Sequence, residues 1–337
     1  MKKGLTALIL LIHFIPSFSQ DVVLFQTQDP LPIRVTGSVK SIKKNSNDST
    51  LVHRSFEYQQ DGQWITVPVK ARVRGNFRLR NCYFPPLKLK FGKKNVASTV
   101  FAGNKSLKLV LPCEVNAGKN ELIRKEYICY QFYQTLSPYY FRTRLAKMEL
   151  TEISRKNPRT YDLLTFFVED NSMVAERSGG TVTELKGISP AAFDEKQSVR
   201  NDYFQYMIGN ADWSSVYQHN SNTLFVNGKY IPLSYDFDMS GFVNAGYAQA
   251  NPPNLGTGDV RERVYRGFCR SDQAMQEIRE EFLEKEGKIM AIIHDHSAHF
   301  SSYQAKDMKT YIESFFDILK NDSSFKSSIL GQCRTDK

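Results

Sequence analysis

Acidic and amide side chains stand at both ends of a predicted β-hairpin in the stretch from Gly209 to Gly241. Asp212 comes first, and Asn220 stands just before an extended run of residues. Asp236 and Asp238 follow a second extended run, in the sequence YDFD. Because oxygen ligands of this kind hold hard divalent cations, and through them phosphate groups, the stretch predicts a metal–phosphate site.

The dipeptide Asn227-Gly228 separates the two extended runs, residues 222–226 and 229–235. Both of its positions favour positive φ, which makes it the strongest short-range signal for a hairpin turn. Pairing of the two runs would bring Asn220 next to Asp236 at the open end of the hairpin. The alternative interpretation is that these asparagines and aspartates are ordinary turn formers.

The first nineteen residues indicate the compartment. Lys2-Lys3 precede an apolar run from Leu5 to Phe18, which ends in a small-x-small site at Ser17-Phe18-Ser19. This order is typical of a cleaved secretory signal peptide, here residues 1–19. No later stretch approaches the ~20 apolar residues that a membrane span needs. We therefore expect an exported protein, periplasmic or secreted, without a transmembrane segment after cleavage.

Composition limits the classes of partner. The chain has 337 residues and a net charge of +10 at pH 7, and the part after the signal peptide is long enough for two lobes with substantial cores. A basic surface suits acidic partners, but the lysines and arginines are scattered, as in Lys40-Ser-Ile-Lys43-Lys44 and Arg261-Glu-Arg263. Because no dense basic stripe is present, we predict a generally basic surface and no nucleic-acid partner.

Five cysteines in an exported chain allow two disulfide bonds and one free thiol. Cys82 and Cys113 both end β segments, and their pairing would close a loop of about thirty residues. Cys269 with Cys333 would tie the C-terminal helices to the site region. Cys129 lies inside a predicted helix beside aromatic residues, where a buried free thiol is expected.

The first half of the mature chain shows strand patterns. A helix then follows over residues 119–136, with Glu126 inside its apolar stripe. Because a buried carboxylate is costly unless a cation meets it, Glu126 requires a partner on the facing sheet; the alternative is a glutamate at the helix edge. The predicted strands cover Leu31–Val35, Ser55–Tyr58, Ile65–Arg74, Leu87–Phe91, Leu107–Leu111, Leu145–Ile153 and Tyr161–Val168.

The second half is mainly helical and begins after a hinge at Ser178-Gly179-Gly180. Its predicted helices cover residues 193–208, 271–293 and 302–320. The order of elements predicts an α+β fold with a bilobal, protein-kinase-like architecture. In this prediction residues 20–170 form a β-rich N-terminal lobe with one helix, and residues 171–337 form a helical C-terminal lobe that carries the catalytic hairpin.

Several of these segments resemble the CotH-like spore-coat protein kinases. They are Arg74-Gly75-Asn76 after a strand, the strand LKLKF, an aromatic-rich helix, and the order GNxDW, HN and YDFD. The segments CYFPPLKLKF, KEYICYQFY and FRTRLAKMEL look more closely like an exported Bacteroidetes-type family with the same core. The similarity spans roughly Arg72 to Tyr247.

The resemblance implies transfer of phosphate from Mg²⁺ and ATP to a protein or cell-envelope acceptor. It implies that Asp212 is the catalytic base or the residue that orients the substrate, and that Asn220 and Asp236 hold magnesium, with Asp238 as a supplementary ligand. The sequence departs from the protein-kinase pattern in three ways: it has no GxGxxG loop, it reads DFD where DFG is usual, and eight positions separate Asp212 from Asn220 where the usual loop has five.

The resemblance also implies roles in the N-terminal half. Lys108 or Lys90 would pair with the nucleotide phosphates, and strand counting leaves both open. Glu126 would position that lysine, and Glu169 would lie beside the adenine. Arg74, at a tight glycine turn, would touch phosphates with its planar guanidinium.

Three other interpretations compete with a kinase. A catalytically silent envelope-binding protein would use the same two lobes only as a scaffold. His294-Asp295-His296 with His299 has the composition of a metal site, but these positions point in different directions on a helix, so a polar helix end is favoured. Ser214-Ser215 near His219 lacks the elbow of a hydrolase.

Overall fold

Seven strands of the first half close into a barrel in the computed structural model, which describes residues 22–45, 51–116, 118–153, 157–248 and 258–335. The strand order around the barrel is β1-β2-β3-β4-β5-β7-β6, and β6 returns to β1. The predicted signal peptide lies outside the described residues. The strands run over Leu31–Gly37 (β1), Val52–Gln60 (β2), Gln63–Val73 (β3), Leu87–Phe91 (β4), Ser106–Val110 (β5), Thr143–Glu152 (β6) and Arg159–Val168 (β7).

Closure depends on one parallel pairing, since the other neighbouring strands are antiparallel. β1 runs parallel to β6 with Ile33 opposite Met148, and both side chains are buried inside the barrel. Alternation along β3 places Val67, Val69 and Ala71 on the same interior face. Period-2 alternation therefore fills the barrel with apolar side chains and sends the intervening polar residues outward.

The predicted bilobal, protein-kinase-like architecture is wrong, because a closed mixed barrel joined to a helical region is not that fold. The broader α+β class agrees with the structure. The error has a physical cause. The positions of the strands along the chain were predicted well, but the partner with which each strand pairs was not. The local sequence pattern of Leu31–Gly37 does not indicate that this strand pairs in parallel with a strand more than a hundred residues later.

Helices fill the connections between barrel strands and link the barrel to the second half. The longest is α4, whose bounds match the prediction and whose residues from Ile123 onward are mostly buried. α4 packs against β7 on one side and against the C-terminal helices on the other. The helices of this part are Val39–Asn45 (α1), Asn76–Asn81 (α2), Lys93–Val96 (α3), Lys119–Leu136 (α4) and Asn171–Arg177 (α5).

The second half combines a three-stranded antiparallel sheet with long helices. The sheet order is β10-β9-β8, and β9 and β10 form the predicted hairpin around Asn227 and Gly228, whose φ values are 49° and 78°. Aspartate or serine side chains cap α6, α7 and α8. The elements run over Thr181–Thr183 (β8), Glu195–Ile208 (α6), Ser221–Val226 (β9), Lys229–Ser234 (β10), Asp272–His296 (α7), Ser302–Lys320 (α8) and Asp322–Ser328 (α9).

Two disulfide bonds join the predicted partners, Cys82 with Cys113 and Cys269 with Cys333. Cys129 is a buried free cysteine, as expected. Both disulfides are compatible with an exported protein. Within the described residues, no helix has the length and apolar character needed to cross a membrane.

Removal of the Cys82–Cys113 disulfide is expected to destabilise the fold. The bond closes a loop of 31 residues, and the chain-entropy relation gives about 3–4 kcal/mol for a loop of this length. Urea denaturation of the Cys82→Ser/Cys113→Ser double variant measures the change in free energy of unfolding. The reduced wild type is the control, and an unchanged free energy would contradict the prediction.

Candidate functional site

A cleft of about 450 Å³ lies where the end of β3 and helix α2 face the hairpin of β9 and β10. The barrel side contributes Arg72, Arg74 and Gly75. The other side contributes the polar residues that the sequence singled out together with their neighbours, namely Asp212, Gln218, His219, Asn220, Tyr235, Asp236 and Asp238.

The hairpin sets the position of two of these polar residues. Ser221 pairs with Ser234 at the open end of the hairpin, and the Tyr235 N–H donates to the Asn220 carbonyl at 3.1 Å. Asn220, directly before β9, and Asp236, two residues after β10, adopt positive φ of 46° and 65°. Asn and Asp tolerate this left-handed conformation better than other side chains do. The predicted hairpin is therefore confirmed, and it brings the backbone of Asn220 next to Tyr235, the residue before Asp236.

Asp212 is tied to both His219 and Asn220. The His219 Nε2 lies 2.7 Å from Asp212 Oδ1, and the Asn220 amide donates to Asp212 Oδ2 at 2.9 Å and to its carbonyl at 2.7 Å. The His219 contact holds the pKa of Asp212 below its ordinary value, and the Asp212 contact raises the pKa of His219. At neutral pH Asp212 is therefore an ionised acceptor oriented by two neighbours.

Replacement of Asp212 by asparagine is expected to lower the pKa of His219 toward its ordinary value of 6.5. The hydrogen bond and charge of Asp212 are what favour the protonated imidazole, so the raised pKa disappears with the carboxylate. An NMR titration of the His219 ring protons measures this change. An identical titration in wild type and Asp212→Asn would show that the pair does not form.

Three carboxylates, of which Glu126 and Asp238 are buried, surround Arg78 at the wall of the cleft. The Arg78 guanidinium lies 2.9 Å from Glu126 Oε2, 2.8 Å from Asp238 Oδ2 and 3.7 Å from Asp236 Oδ1. Arg78 is 5% exposed. Glu126 therefore has the cationic partner that its buried position requires, but this partner is an arginine of α2, and neither Lys108 nor Lys90 meets it.

If all three carboxyl groups were ionised, the triad would carry more negative charge than Arg78 neutralises. Burial raises the pKa of Glu126 to about 8 and also raises the pKa of Asp238, although Arg78 opposes both shifts. Glu126 Oε1 is buried and has no hydrogen-bond partner. The carboxylate oxygens of Glu126, Asp236 and Asp238 approach one another within 4.8 Å, which is close enough to hold one metal ion. A divalent cation fits this donor set, because it would supply the missing positive charge and a partner for the orphan oxygen.

Lys108 and Arg74 lie on the barrel side, and both contact the aromatic ring of Tyr235. The Lys108 Nζ is 4.2 Å from the centre of the Tyr235 ring and 4.5 Å from that of Phe141. The Arg74 guanidinium carbon is 5.7 Å from the Tyr235 ring. Burial lowers the pKa of Lys108 well below its ordinary value, and repulsion from Arg74 adds to this. Within the described residues Arg74 makes no ion pair, which leaves its guanidinium available to an anion in the cleft.

Four predicted site residues do not line the cleft, namely Lys108, Glu126, Lys90 and Glu169. Lys90 is exposed on β4, opposite Lys70 of β3. Glu169 is buried, forms an ion pair with Arg177 at 3.3 Å and accepts the Arg142 backbone N–H at 3.0 Å. The Glu169 carboxylate therefore stabilises the segment that follows β7. It is not available to contact an adenine. Lys90 was placed by strand counting and Glu169 by the family resemblance, and neither shows where a side chain points.

The competing motifs do not form sites. His296 contacts Gln131 Oε1 at 2.8 Å, and the triad around Arg78 is the one His/Cys/Asp/Glu group of metal-binding geometry in the described part of the chain. Ser214 pairs with His219 through the backbone, while its hydroxyl accepts the N–H of Tyr217. Neither arrangement supports zinc binding or a serine hydrolase.

Sequence reasoning missed the central residue of the site. Arg78 lies four residues after Arg74, within RGNFRLR, and no local pattern distinguishes it from the exposed Arg80. Its importance comes from contacts 48 and 160 residues away, with Glu126 and Asp238. His219 was noted only beside a serine pair. No family model matches the sequence, and no curated protein matches it at a significant level.

Proposed function

We propose that the protein is a magnesium-dependent phosphotransferase that binds a nucleotide, ATP being the candidate, in the cleft between β3–α2 and the hairpin. One observation carries the proposal: the cleft presents Asp212, Asn220 and Asp236 opposite Arg72 and Arg74. Carboxylates and guanidinium groups facing one another across an open space match a ligand that is itself a cation bound to an anion. A magnesium–phosphate complex has this composition.

The charges of the two cleft walls indicate which wall would bind the cation and which would bind the phosphates. Asp236 is 36% exposed at its side chain and belongs to the carboxylate triad, so it is the member of that triad that a cation in the cleft would reach. Arg74 and Arg72 stand at the glycine turn that ends β3. A planar guanidinium binds phosphate oxygens through paired N–H donors, which makes this wall suited to the phosphates.

The chemistry assigned to the protein is a direct transfer. The acceptor hydroxyl oxygen bonds to the terminal phosphorus while the bond from phosphorus to the bridging oxygen breaks, and the hydroxyl proton passes to Asp212. Asp212 suits this role because it is ionised and its orientation is held by His219 and Asn220. A bound magnesium ion would neutralise charge that develops on the phosphate oxygens. The positively charged Arg74 contributes to the same end.

An exported location sets conditions on the acceptor and the donor. The predicted signal peptide favours the periplasm or the exterior, where the acceptor would be a protein or another envelope component. The donor must then reach that compartment or be used during export.

A catalytically silent scaffold is the second candidate, and Arg78 favours it. Its guanidinium already stands among the three carboxylates that would otherwise attract a metal ion. In this alternative the arginine replaces the cation permanently, and the cleft binds a partner without turnover. The two candidates differ in whether a metal–nucleotide complex binds at Asp236.

A thermal-shift experiment separates them. Saturating Mg²⁺ and ATP are expected to raise the melting temperature of the wild type, since a ligand at about 100 times its Kd stabilises the folded state by about 2.7 kcal/mol. Asp236→Asn is expected to abolish the increase. The matched control is Asp162→Asn, an exposed position of β7 that is remote from the cleft.

The magnesium requirement adds a second comparison. ATP with excess chelator should give no shift, because the anion then lacks its cation. A wild type that shows no shift with Mg²⁺ and ATP would support the scaffold and contradict the phosphotransferase.

A further inference from the structure

The barrel encloses an apolar cavity that the proposed function does not use. Its volume is about 70 Å³, and its wall is formed by side chains such as Ile33, Leu89, Leu109, Met148 and Phe167. Protein interiors are usually packed closely enough that voids larger than a water molecule are few. A void lined by aliphatic and aromatic groups stays dry and accepts apolar guests. The interior of this barrel is therefore chemically suited to an aliphatic segment.

One charged side chain interrupts the apolar lining, at the mouth of the cavity. Phe56 and Tyr58 of β2 point into the barrel, and Arg54 lies on the same face of the strand, two residues before Phe56. Arg54 lines the cavity together with Ser38 and Ser55. Its described hydrogen bond is to the neighbouring His53 carbonyl, at 2.9 Å. No carboxylate lies within 4 Å of this guanidinium in the part of the chain that the structure describes.

Helix α1 covers this mouth and adds to its positive charge. Ile42 of α1 is buried and lines the cavity, whereas Lys40 and Lys44 are exposed. Lys43 donates to the Cys82 carbonyl at 2.8 Å, which anchors the helix at the mouth. The sequence KSIKKN thus presents one apolar side chain inward and lysines outward. The mouth is basic and the interior is apolar.

We propose that the barrel binds the end of an aliphatic chain that carries an anionic headgroup, with the headgroup at Arg54 and the chain among the interior side chains. An aliphatic carboxylate matches both parts. The chain replaces an empty space with dispersion contacts and removes apolar surface from water. The headgroup meets a cation through charge-assisted hydrogen bonds at the solvent boundary. This binding is independent of the cleft and of phosphate transfer.

Isothermal titration of the full chain with octanoate tests the proposal. Octanol and octyltrimethylammonium serve as ligands of the same chain length with neutral and cationic headgroups. We expect octanoate to bind more tightly than octanol, and octyltrimethylammonium to bind most weakly. Arg54→Gln should weaken octanoate binding by about tenfold and leave octanol binding unchanged, because it removes one charge-assisted contact.

Ala71→Leu tests the chain-binding part, because Ala71 lines the cavity and a larger side chain fills it. This variant should lose binding of octanoate and octanol alike. If it fails to fold, Val35→Leu at the mouth replaces it, with the same expectation of weaker binding. Lys90→Gln, an exposed position of β4, is the control for charge alone and should bind as the wild type does.

Any of three results would overturn the proposal. Octanoate does not bind, the affinity does not depend on the charge of the headgroup, or octanoate binding is unchanged in both Arg54→Gln and the cavity variant. Vesicles of anionic phospholipid provide the comparison with a lipid surface. If the chain cosediments with vesicles but does not bind monomeric octanoate, the basic mouth is a membrane contact and the interior site does not exist.

Discussion

Replacement of Arg78 by methionine is expected to lower the free energy of unfolding by about 3–5 kcal/mol, the cost of leaving buried charges without their partner. Arg78 contacts Glu126, Asp236 and Asp238 within 3.7 Å. Methionine has a similar length but no charge, so the triad loses the positive charge of Arg78. Arg80→Met is the matched control, because Arg80 is exposed on the same helix and surface substitutions usually change stability by less than about 0.5 kcal/mol.

The loss of stability in Arg78→Met is expected to depend on pH. Burial already raises the pKa of Glu126 and Asp238 above their unfolded values, and removal of Arg78 raises both further. A carboxyl group whose pKa is higher in the folded state does not destabilise the fold at pH values below its unfolded-state pKa. As the pH rises from that value to the folded-state pKa, the free energy of unfolding decreases. Urea denaturation should therefore show a smaller difference between variant and wild type at pH 5 than at pH 8.

Magnesium provides a second readout for the same variant. If the triad can hold a divalent cation, Mg²⁺ should restore part of the stability that Arg78→Met loses, because it replaces the missing positive charge. The Arg80→Met control should show no such recovery. Equal stabilities of the two arginine variants would show that Arg78 does not neutralise the triad.

Replacement of Asp212 by asparagine is expected to lower the rate of the proposed phosphate transfer by about 10²–10⁴-fold, the usual contribution of a positioned proton acceptor. Asparagine keeps the shape and the ability to contact Asn220, but it does not take a proton. The stabilisation by Mg²⁺ and ATP should persist, because Asp236 and the arginines remain. Transfer of labelled phosphate from ATP to candidate envelope proteins measures the rate.

Two further variants show whether the loss belongs to Asp212 itself. His219→Gln removes the main cause of the lowered Asp212 pKa, so it should shift the acid limb of the pH–rate profile upward while activity at neutral pH remains. Asp162→Asn should transfer phosphate at the wild-type rate. If Asp212→Asn transfers phosphate as fast as the wild type, Asp212 is not the base and the assigned mechanism fails.

Local sequence patterns predicted most of the secondary structure that surrounds the site. The helix over residues 119–136, the strand Leu87–Phe91 and the helix Ser302–Lys320 have the predicted bounds. The hairpin was predicted because Asn227-Gly228 favours a tight turn between two strand patterns, a property of neighbouring residues alone. Both cysteine pairings were also predicted, from the positions of Cys82 and Cys113 at the ends of β segments and of Cys129 inside a helix.

Short elements without a strong period escaped prediction. The helix Val39–Asn45 reads as a basic segment, and Asn76–Asn81 begins directly after a glycine at a positive φ of 78°. Helices of six or seven residues are marginal by themselves and are stabilised by packing. These two helices provide the lysines at the barrel mouth and Arg78 in the triad, so part of each candidate site lay outside what local patterns reveal.

The sequence by itself determined which residues carry oxygen ligands and where the chain must turn, because turns and periodic burial depend on near neighbours. The tertiary structure alone decided that β1 closes a barrel against β6 and that Glu126 meets Arg78 in preference to a strand lysine. It also decided that Glu169 is held by Arg177, away from the cleft. Such pairings join residues far apart in the chain, and they follow from how whole surfaces pack and how buried charges find partners.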